Sequence, residues 1–239
     1  MQYGLIQVMP PEEAEKIRVL LEQQEWQVGK ARTEELTGTI KRNQELKPGE
    51  SKNVIVDHYS KVLTQTTMQS TEFQTNTFPY QMTSYKFNRY SDDYPGGEYR
   101  YHTDAPWMGK VRTDFTIVLA LTDPDTYVGG DHWVYPPHQE PMCFRPKQGE
   151  LMYYETGYQH YVEPVVKGTR ISALAWCESS LDNERQRAIS KQCWKLSRAF
   201  EANSQDESRG DEAREEFRKW FVDIGMVHSG LQRLWANRR

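Results

Sequence analysis

The sequence has no apolar stretch long enough to cross a bilayer, and its mean hydropathy of −0.85 is that of a polar chain. Its N-terminus, Met1-Gln-Tyr-Gly-Leu5, lacks the charged region and following apolar run of a secretory signal. Both absences predict a cytoplasmic protein without a membrane partner.

Basic residues are also too few and too scattered to form a surface that binds nucleic acid. The 30 Lys and Arg are outnumbered by 34 Asp and Glu, so the net charge is −4 and the pI is about 5.9. No basic block or stripe is present that could bind a phosphate backbone. We therefore expect no nucleic-acid partner.

Cysteine is scarce, with only Cys143, Cys177 and Cys193. An odd number without metal-type spacing indicates reduced thiols, not a disulfide framework or a zinc site. A length of 239 residues allows one large β-rich domain or two small ones. We expect a single domain over 1–239, with helical ends.

Three residues that are present have the chemistry of metal ligands. His102 and Asp104 are separated by one residue, so on an extended strand their side chains leave the same face and can reach one ion. His160 has to come from a distant strand. Two imidazoles and one carboxylate leave the opposite side of a metal open, as in non-haem Fe(II) oxygenases. His102, Asp104 and His160 are therefore candidate catalytic and metal-binding residues.

The surroundings of these ligands predict a β-rich core from about Tyr80 to Glu178. Its predicted strands and turns are a strand over Arg112–Thr122, turns at Asp123–Asp125 and Gly129–Gly130, a strand over Gln148–Glu155, a turn at Val165–Gly168 and a strand over Thr169–Trp176.

Alternation on the last of these strands puts Arg170 and Ser172 on one face, where both can point into a barrel. A guanidinium fork beside an open metal position is a bidentate partner for a dicarboxylate cosubstrate. Ser172 would add a hydroxyl donor beside it. A zinc hydrolase has no need of such an arginine, so Arg170 favours an oxygenase.

Helical periodicity flanks the core on both sides. Pro11–Glu22 predicts a helix with Pro11 in its first turn and Ile17, Leu20 and Leu21 on one face. Further helices are predicted over Ser51–Gln69, from Ser180 toward Phe200 and over Asp211–Val222, with a polar loop over Asn203–Gly210. This gives an N-terminal helical support over 1–79, a core over 80–178 and C-terminal helices over 179–239.

The order His-x-Asp, Gly-Gly, His, Pro-Val, Gly-x-Arg and Trp resembles that of the prolyl/lysyl hydroxylase-type (PKHD-type) Fe(II)- and 2-oxoglutarate-dependent dioxygenases. Motifs outside the metal site are also similar: Phe87-Asn-Arg-Tyr90, Ile40-Lys-Arg-Asn-Gln-Glu-Leu46 and Val227-His-Ser-Gly-Leu-Gln-Arg-Leu-Trp-Ala236. The likeness covers nearly the whole chain. It implies an α+β fold, with a double-stranded β-helix (jelly-roll or cupin-like) core between N-terminal and C-terminal helices.

The resemblance also implies a reaction, the oxidative decarboxylation of 2-oxoglutarate coupled to hydroxylation of an unactivated C–H bond by O2. Fe(II) would be bound by the three candidate ligands, and L-ascorbate is a candidate reductant. The residues implied to anchor the far carboxylate of 2-oxoglutarate are Arg170, Tyr90, Thr116 and Ser172. The expected substrate is a prolyl or lysyl residue of a protein or peptide, with a free amino acid or other small molecule as the alternative.

Departures from the family pattern fall near the expected substrate side. The sequence has Gly129-Gly-Asp-His132 where the family usually has Gly-Gly-Glu. Asn43 is preceded by Lys41-Arg42, where the family has Lys-Asn. Ser91–Glu98 is longer and more acidic than the family's glycine turn. It is expected to be either a mobile flap that steers basic peptides through Asp92, Asp93, Tyr94 and Glu98, or a solvated turn.

The remaining histidines and aromatic residues have simpler interpretations. His58, His132, His138 and His228 are expected at the surface or in packing, with His132 and His138 in a loop beside a substrate entrance. Trp107 and Tyr90 are expected to wall a peptide site, whereas Trp133, Trp176, Tyr153 and Tyr154 are expected in the core. Arg112 and Asp114 are expected to form an ion pair. Two other functions stay open, a zinc hydrolase and a cupin-like metal-binding module without turnover.

Overall fold

The computed structural model describes residues 2–29, 40–50, 53–93 and 97–235. These residues form two compact units. The first comprises the chain up to Ser70 and Gln81–Glu178, and the second comprises Thr71–Tyr80 and the residues from Ser179 onward. The single domain expected from the sequence stays a prediction. In the described part of the chain, no helix combines the length and the apolar character that crossing a membrane requires.

Strands make up most of the first unit. In chain order they are β1 (Tyr3–Gln7), β2 (Gln27–Val28), β3 (Lys41–Arg42), β4 (Gln44–Leu46), β5 (Pro79–Met82), β6 (Lys86–Ser91), β7 (Glu98–His102), β8 (Trp107–Met108), β9 (Val111–Arg112), β10 (Phe115–Ala120), β11 (Val128–Gly129), β12 (His132–Tyr135), β13 (Met142–Phe144), β14 (Glu150–Glu155), β15 (Gln159–Val162), β16 (Val165–Lys167) and β17 (Thr169–Ser179). The main sheet has the order β1-β14-β10-β17-β6-β4-β2, and a second sheet has the order β13-β12-β15-β7-β3.

Neighbouring strands along these two orders run antiparallel. In the main sheet β10 lies between β14 and β17, and every residue of Phe115–Ala120 is buried. A strand covered on both faces is expected to be a continuous apolar run, which is the pattern that predicted this strand. The two sheets line a common cavity, which holds the candidate site.

The N-terminal segment contains strands as well as helices, whereas the sequence predicted only a helical support over 1–79. Helix α1 (Pro11–Glu22) has the expected bounds and buries Ala14, Ile17 and Leu21. Helix α2 (Val54–Gln69) starts later than predicted, because the side chain of Asn53 accepts hydrogen bonds from the N–H groups of Ile55 and Val56 and caps it. The predicted start, Ser51, lies outside the described residues.

The second unit holds α3 (Thr71–Thr77), α4 (Glu184–Gln205) and α5 (Asp211–Trp235). Helix α4 begins at Glu184 and not at Ser180, because Asn183 caps it by accepting a hydrogen bond from the N–H of Gln186. It also extends through the first three residues of the predicted Asn203–Gly210 loop, up to Gln205. Here Asn203 donates to the carbonyl of Ala199, so these polar side chains bond along the helix.

Helix α5 is longer than predicted and ends at Trp235, not at Val222. Gly225 and Gly230 lie inside it, and each glycine costs a helix about 1 kcal/mol relative to alanine. The apolar period nevertheless continues through Ile224 and Leu231, which keeps one face of the helix apolar. Rings of α4 and α5 pack together, with the centroids of Phe200 and Trp220 5.5 Å apart.

Candidate metal and cosubstrate site

The two candidate histidine ligands are cross-strand partners. His160 of β15 lies opposite His102 of β7, and their ring centroids are 4.1 Å apart. Asp104 follows two residues after the end of β7, and His160 Nε2 is 3.8 Å from its Oδ2. One ligand atom from each of the three side chains lies within 4.8 Å of the others. The structure thus brings together the three residues that the sequence selected.

Both imidazoles are oriented for metal binding through Nε2. The Nδ1 atom of His102 is 2.8 Å from the carbonyl oxygen of Arg100, and that of His160 is 2.9 Å from the carbonyl of Tyr158. A carbonyl only accepts, so each Nδ1 carries the proton and each Nε2 keeps its lone pair. Burial, followed by the proximity of His160, lowers the pKa of His102. The neutral imidazole that a metal requires is therefore the stable form.

The carboxylate is held on one oxygen. Asp104 Oδ2 accepts hydrogen bonds from Trp176 Nε1 and from Thr116 Oγ1, each at 2.9 Å. Oδ1 receives no hydrogen bond from any described residue. Burial alone would raise the pKa of Asp104, but the attraction of His160 and the hydrogen bond from Trp176 lower it. An ionised carboxylate with one available oxygen completes a two-histidine, one-carboxylate donor set, which fits Fe(II).

The guanidinium of Arg170 has no polar partner among the described residues. Arg170 is 5% exposed, yet its side chain makes no hydrogen bond or ion pair with any described residue, and the guanidinium lies against the ring of Tyr90, at 5.4 Å. Buried cations in folded proteins are normally paired, because an unpaired one loses its hydration without compensation. The Arg170 guanidinium therefore has an unused capacity to bind an anion.

The turn at Gly129–Gly130 makes room for this arginine. Gly130 has a φ of +72°, and a Cβ there would lie 2.8 Å from Val165 Cγ2 and 3.1 Å from Arg170 Cδ. Only glycine combines that backbone conformation with that closeness. The predicted glycine turn thus supports the cosubstrate side of the site.

One cavity of about 260 Å³ contains all of these groups. Its lining includes the candidate ligands and cosubstrate residues His102, Asp104, His160, Arg170, Tyr90, Thr116 and Ser172, together with Lys41, Lys86, Asn88, Tyr99, Met108, Val118, His132, Tyr154, Val162, Leu174 and Trp176. The arrangement can hold a divalent metal on one side and a carboxylate on the Arg170 side.

Thr116 and Trp176 both hold Asp104. The hydroxyl of Thr116, whose contact with 2-oxoglutarate stays a prediction, donates to Asp104 and also lies 3.0 Å from Thr156 Oγ1. Trp176 was expected in the core, and it is buried, but its indole N–H also holds Asp104. The signal for Trp176 was present, because residues 170, 172 and 176 share one face of the strand.

His132 was predicted in a loop, and that prediction is wrong. It lies in β12, is 5% exposed, and its ring stacks on that of His160 with centroids 5.5 Å apart. Its Nε2 is 3.2 Å from the hydroxyl of Tyr154, a second cavity residue that sequence reasoning placed only in the core. Burial lowers the pKa of His132 well below its usual range, so it presents a neutral ring.

Other predicted residues lie farther from the cavity. Trp107 is 56% exposed and is not among the lining residues, where its neighbour Met108 appears instead. His58 and His138 are exposed and His228 is half-buried, while Tyr153 is buried and Trp133 is half-buried. Arg112 and Asp114 form the expected ion pair through two contacts of 2.8 Å.

The acidic segment is partly described. Tyr94 lies outside the described residues. Asp93 forms an ion pair with Arg89 at 2.7 Å, and Asp92 accepts a hydrogen bond from the N–H of Gly168 at 3.0 Å. Glu98 is 8% exposed and also pairs with arginine. The negative charge available to steer a basic peptide is therefore smaller than the sequence alone suggests.

Solved structures identify the class to which this fold corresponds. A prolyl hydroxylase from Trichoplax adhaerens, in complex with a hypoxia inducible factor peptide fragment, aligns with a TM-score of 0.54 and 17% identity, over 79% of this chain and 87% of its own. An oxidoreductase of the 2OG-Fe(II) oxygenase family from Burkholderia pseudomallei aligns with a TM-score of 0.53 and 17% identity, over 74% and 85%. The α+β fold with a jelly-roll core is confirmed.

Sequence relatives are more specific than the fold. The PKHD-type hydroxylase YbiX of Shigella sonnei (strain Ss046) is 27% identical over 79% of this chain and 83% of its own length. A PKHD-type hydroxylase of Acidovorax ebreus (strain TPSY) is 29% identical over the same shares. No family model matches the chain. The chain is similar to PKHD-type hydroxylases, which confirms the resemblance found in its motifs.

Proposed function

We propose that this protein is an Fe(II)- and 2-oxoglutarate-dependent dioxygenase that hydroxylates an unactivated C–H bond. The observation that carries the proposal is Arg170, a buried guanidinium without an acceptor in the described structure, in the same cavity as the His102, Asp104 and His160 cluster. A dicarboxylate such as 2-oxoglutarate would use both parts of the site, because the donor set would hold the metal that it binds and Arg170 would pair with its far carboxylate.

The proposed cofactors supply the difficult chemistry. Fe(II), 2-oxoglutarate and O2 together would supply the oxidising power that breaks the C–H bond, with succinate and carbon dioxide as co-products. The protein supplies position. His102, Asp104 and His160 would hold the metal, and Arg170 would anchor the far carboxylate of 2-oxoglutarate with the help of Ser172, whose hydroxyl lines the same cavity.

Residues behind the ligands fix them, and apolar residues would limit the access of water. Carbonyl acceptors orient both imidazoles, and Trp176 and Thr116 hold the carboxylate of Asp104. Apolar side chains such as Val118 and Leu174 line the same cavity and would limit the access of water to a bound substrate. The proposal includes L-ascorbate as the reductant that maintains the Fe(II) state.

For the substrate, we propose a prolyl or lysyl residue of a protein or peptide. The names of the hydroxylase relatives and the peptide bound to the Trichoplax adhaerens enzyme support this class. A free amino acid or other small molecule is the second candidate. It is favoured by the cavity, whose 260 Å³ lies below the usual range of roughly 300–1,000 Å³ for ligand pockets.

The test is anaerobic reconstitution with Fe(II) and 2-oxoglutarate, with the weak visible charge-transfer band of the chelate as the readout. We expect the band only when both components are present, and succinate formation once O2 is admitted. Iron binding without a band would support a cupin-like metal-binding module instead. Hydrolytic activity with Zn(II), without use of 2-oxoglutarate, would favour a hydrolase.

A further inference from the structure

A second charged cluster lies in the same cavity and has no role in the proposed binding of metal and cosubstrate. Lys41 Nζ is 2.5 Å from Glu45 Oε1, and Lys86 Nζ is 3.3 Å from the same oxygen. The side chains of Lys41 and Glu45 are 6% and 3% exposed, and that of Lys86 is 22% exposed. Both lysines line the cavity. Two cavity lysines thus share one carboxylate oxygen.

The strands that carry these residues come from both sheets. Lys41 is in β3, opposite Tyr99 of β7, whereas Glu45 is in β4, opposite Asn88 of β6. Lys86 lies two residues before Asn88 on β6 and therefore on the same face. The cluster is built where the chain passes from the second sheet to the main sheet.

One aromatic ring separates each lysine from a candidate metal ligand. Lys41 Nζ is 5.0 Å from the centroid of the Tyr99 ring, which stacks on His102 with centroids 3.5 Å apart. Lys86 Nζ is 5.2 Å from the centroid of the Trp176 ring, whose N–H holds Asp104. Each ammonium group therefore lies one aromatic ring away from a candidate metal ligand, in the same cavity.

Positive charge is in excess at this cluster. Lys47 contacts the other oxygen of Glu45, at 3.5 Å, but it also pairs with Glu50, at 3.7 Å. Lys41 and Lys86 therefore share Glu45 alone, and the cluster has one positive charge more than it has negative charges. Burial and the charge of Lys86 lower the pKa of Lys41 to about 8, and these effects outweigh the attraction of Glu45. The charges of the proposed metal site sum to zero, since Fe(II) and Arg170 balance Asp104 and the 2-oxoglutarate dianion. The positive charge of the lysine cluster is therefore left uncompensated. A buried excess of cations is relieved by a bound anion.

We propose that Lys41 and Lys86 bind a carboxylate of the primary substrate and so determine its specificity. This inference rests on the proposed function, because it assumes that the substrate occupies the space beside the metal. The carboxylate has two sources of the same chemistry, the α-carboxylate of the reacting amino acid or an acidic side chain next to it in a peptide. Lys86 would make the more accessible contact, since Lys41 is almost fully buried.

Paired probes that differ only in charge test this inference. The first pair is N-acetyl-L-proline and its primary amide. The second pair is N-acetyl-L-prolyl-L-glutamic acid α-amide and N-acetyl-L-prolyl-L-glutamine amide. Calorimetric titration under nitrogen, into protein loaded with Mn(II) and 2-oxoglutarate, measures binding without turnover. The proteins are wild type, Lys86→Met, Lys86→Arg, Lys47→Met and Arg170→Ala, each checked for its thermal unfolding transition.

Lys47→Met is the matched control, because it removes an ammonium group from the same carboxylate but does not line the cavity. In one of the two pairs, we expect wild type to bind the acid about tenfold more tightly than the amide, as for one charge-assisted hydrogen bond. Lys86→Met should lose this preference, while Lys86→Arg and Lys47→Met should keep it. The pair that shows the preference identifies the source of the carboxylate.

Three results would overturn the inference: no preference by wild type in either pair, an undiminished preference in Lys86→Met, or a preference that disappears only in Arg170→Ala. The last would mean that the acid displaces 2-oxoglutarate. Repeating the titration without metal separates this inference from the proposed function. The protein could prefer the acids through Lys86 and yet show no charge-transfer band. That result would contradict the proposed dioxygenase function but support the anion-binding role of Lys86.

Discussion

Trp176 donates its indole N–H to Oδ2 of Asp104 across 2.9 Å, and this bond fixes the only carboxylate of the candidate metal cluster. Because Oδ2 also accepts from Thr116, the carboxylate cannot rotate freely, and Oδ1 stays directed away from both donors. Partners of this kind orient metal ligands and tune their charge. The relationship gives Trp176 a positioning role that its burial alone would not indicate.

We predict that Trp176→Phe lowers iron affinity by about 10- to 100-fold, the usual cost of removing a hydrogen bond behind a metal ligand. Phenylalanine keeps an aromatic ring but is smaller than the buried indole, so the thermal unfolding transition should fall as well. Competition with a chelator measures the affinity. Trp107→Phe is the matched control, since Trp107 is 56% exposed and lies outside the cavity lining. Equal iron affinity in both variants would assign Trp176 to packing only.

The three ligand positions should behave as an open metal site. His102→Ala, Asp104→Ala and His160→Ala are each expected to remove iron binding and activity while the circular dichroism spectrum stays that of wild type, because such a site does not hold the fold together. Normal iron content and turnover in His160→Ala would contradict the assignment. Exposed His138 provides the control substitution.

Arg170→Ala should bind iron normally but require far more 2-oxoglutarate. Loss of a charge-assisted bidentate contact, worth on the order of 2–3 kcal/mol, corresponds to an increase of roughly 30- to 150-fold in the half-saturating concentration. Arg170→Lys should recover only part of this, because it keeps the charge and loses the planar fork.

A second measurement on Arg170 separates binding from folding. The guanidinium is buried without an acceptor in the described residues, so Arg170→Met should not lower the melting temperature of the cosubstrate-free protein. The rise in melting temperature that 2-oxoglutarate gives wild type should disappear. A strongly destabilised Arg170→Met protein would point to a structural partner and contradict the cosubstrate role.

The candidate ligands and Arg170 could be selected from the sequence because local rules apply to them. One-residue spacing selected His102 and Asp104 as a pair, although Asp104 lies beyond the end of β7, and alternation points Arg170 inward. The strand over Phe115–Ala120 followed from an unbroken apolar run. Each of these signals lies within a few residues of the position it predicts.

The cluster of Lys41, Glu45 and Lys86 was not predictable in the same way. It depends on strands of two and three residues, β3 and β4, which are too short to show a period, and on the pairing of β4 with a strand 40 residues away in the chain. The inward position of His132 was missed for a related reason, since β12 has only four residues, between Asp131 and Pro136. Long-range pairing, not composition, decides these contacts.

Gly130→Ala should weaken 2-oxoglutarate binding as well as stability. The added Cβ would crowd Arg170 Cδ at 3.1 Å, and a non-glycine residue at a φ of +72° costs about 1–2 kcal/mol. Gly109→Ala is the matched control, because Gly109 also has a positive φ, of +63°, but nothing lies within 4 Å of its Cβ position. Both variants should lose stability in urea, and only Gly130→Ala should need more 2-oxoglutarate.

Glu45→Gln should show how far the buried lysines depend on their shared carboxylate. The attraction of Lys86 and Lys41 outweighs burial and lowers the pKa of Glu45 to about 2, from an ordinary value of 4.5. Because this pKa is depressed in the folded state, the stabilisation is fully present above about pH 4.5 and is lost as the pH falls toward 2.

The Glu45→Gln variant leaves two cavity lysines without their shared carboxylate at pH 7. We therefore expect its free energy of unfolding to be about 3–5 kcal/mol lower than that of wild type. Urea unfolding between pH 7 and pH 3 should show this difference shrinking below pH 4.5, because the unfolded wild-type chain then takes up a proton at Glu45 while the folded carboxylate is still charged. A difference that is constant over this range would mean that Glu45 stabilises the fold by packing and not by its charge.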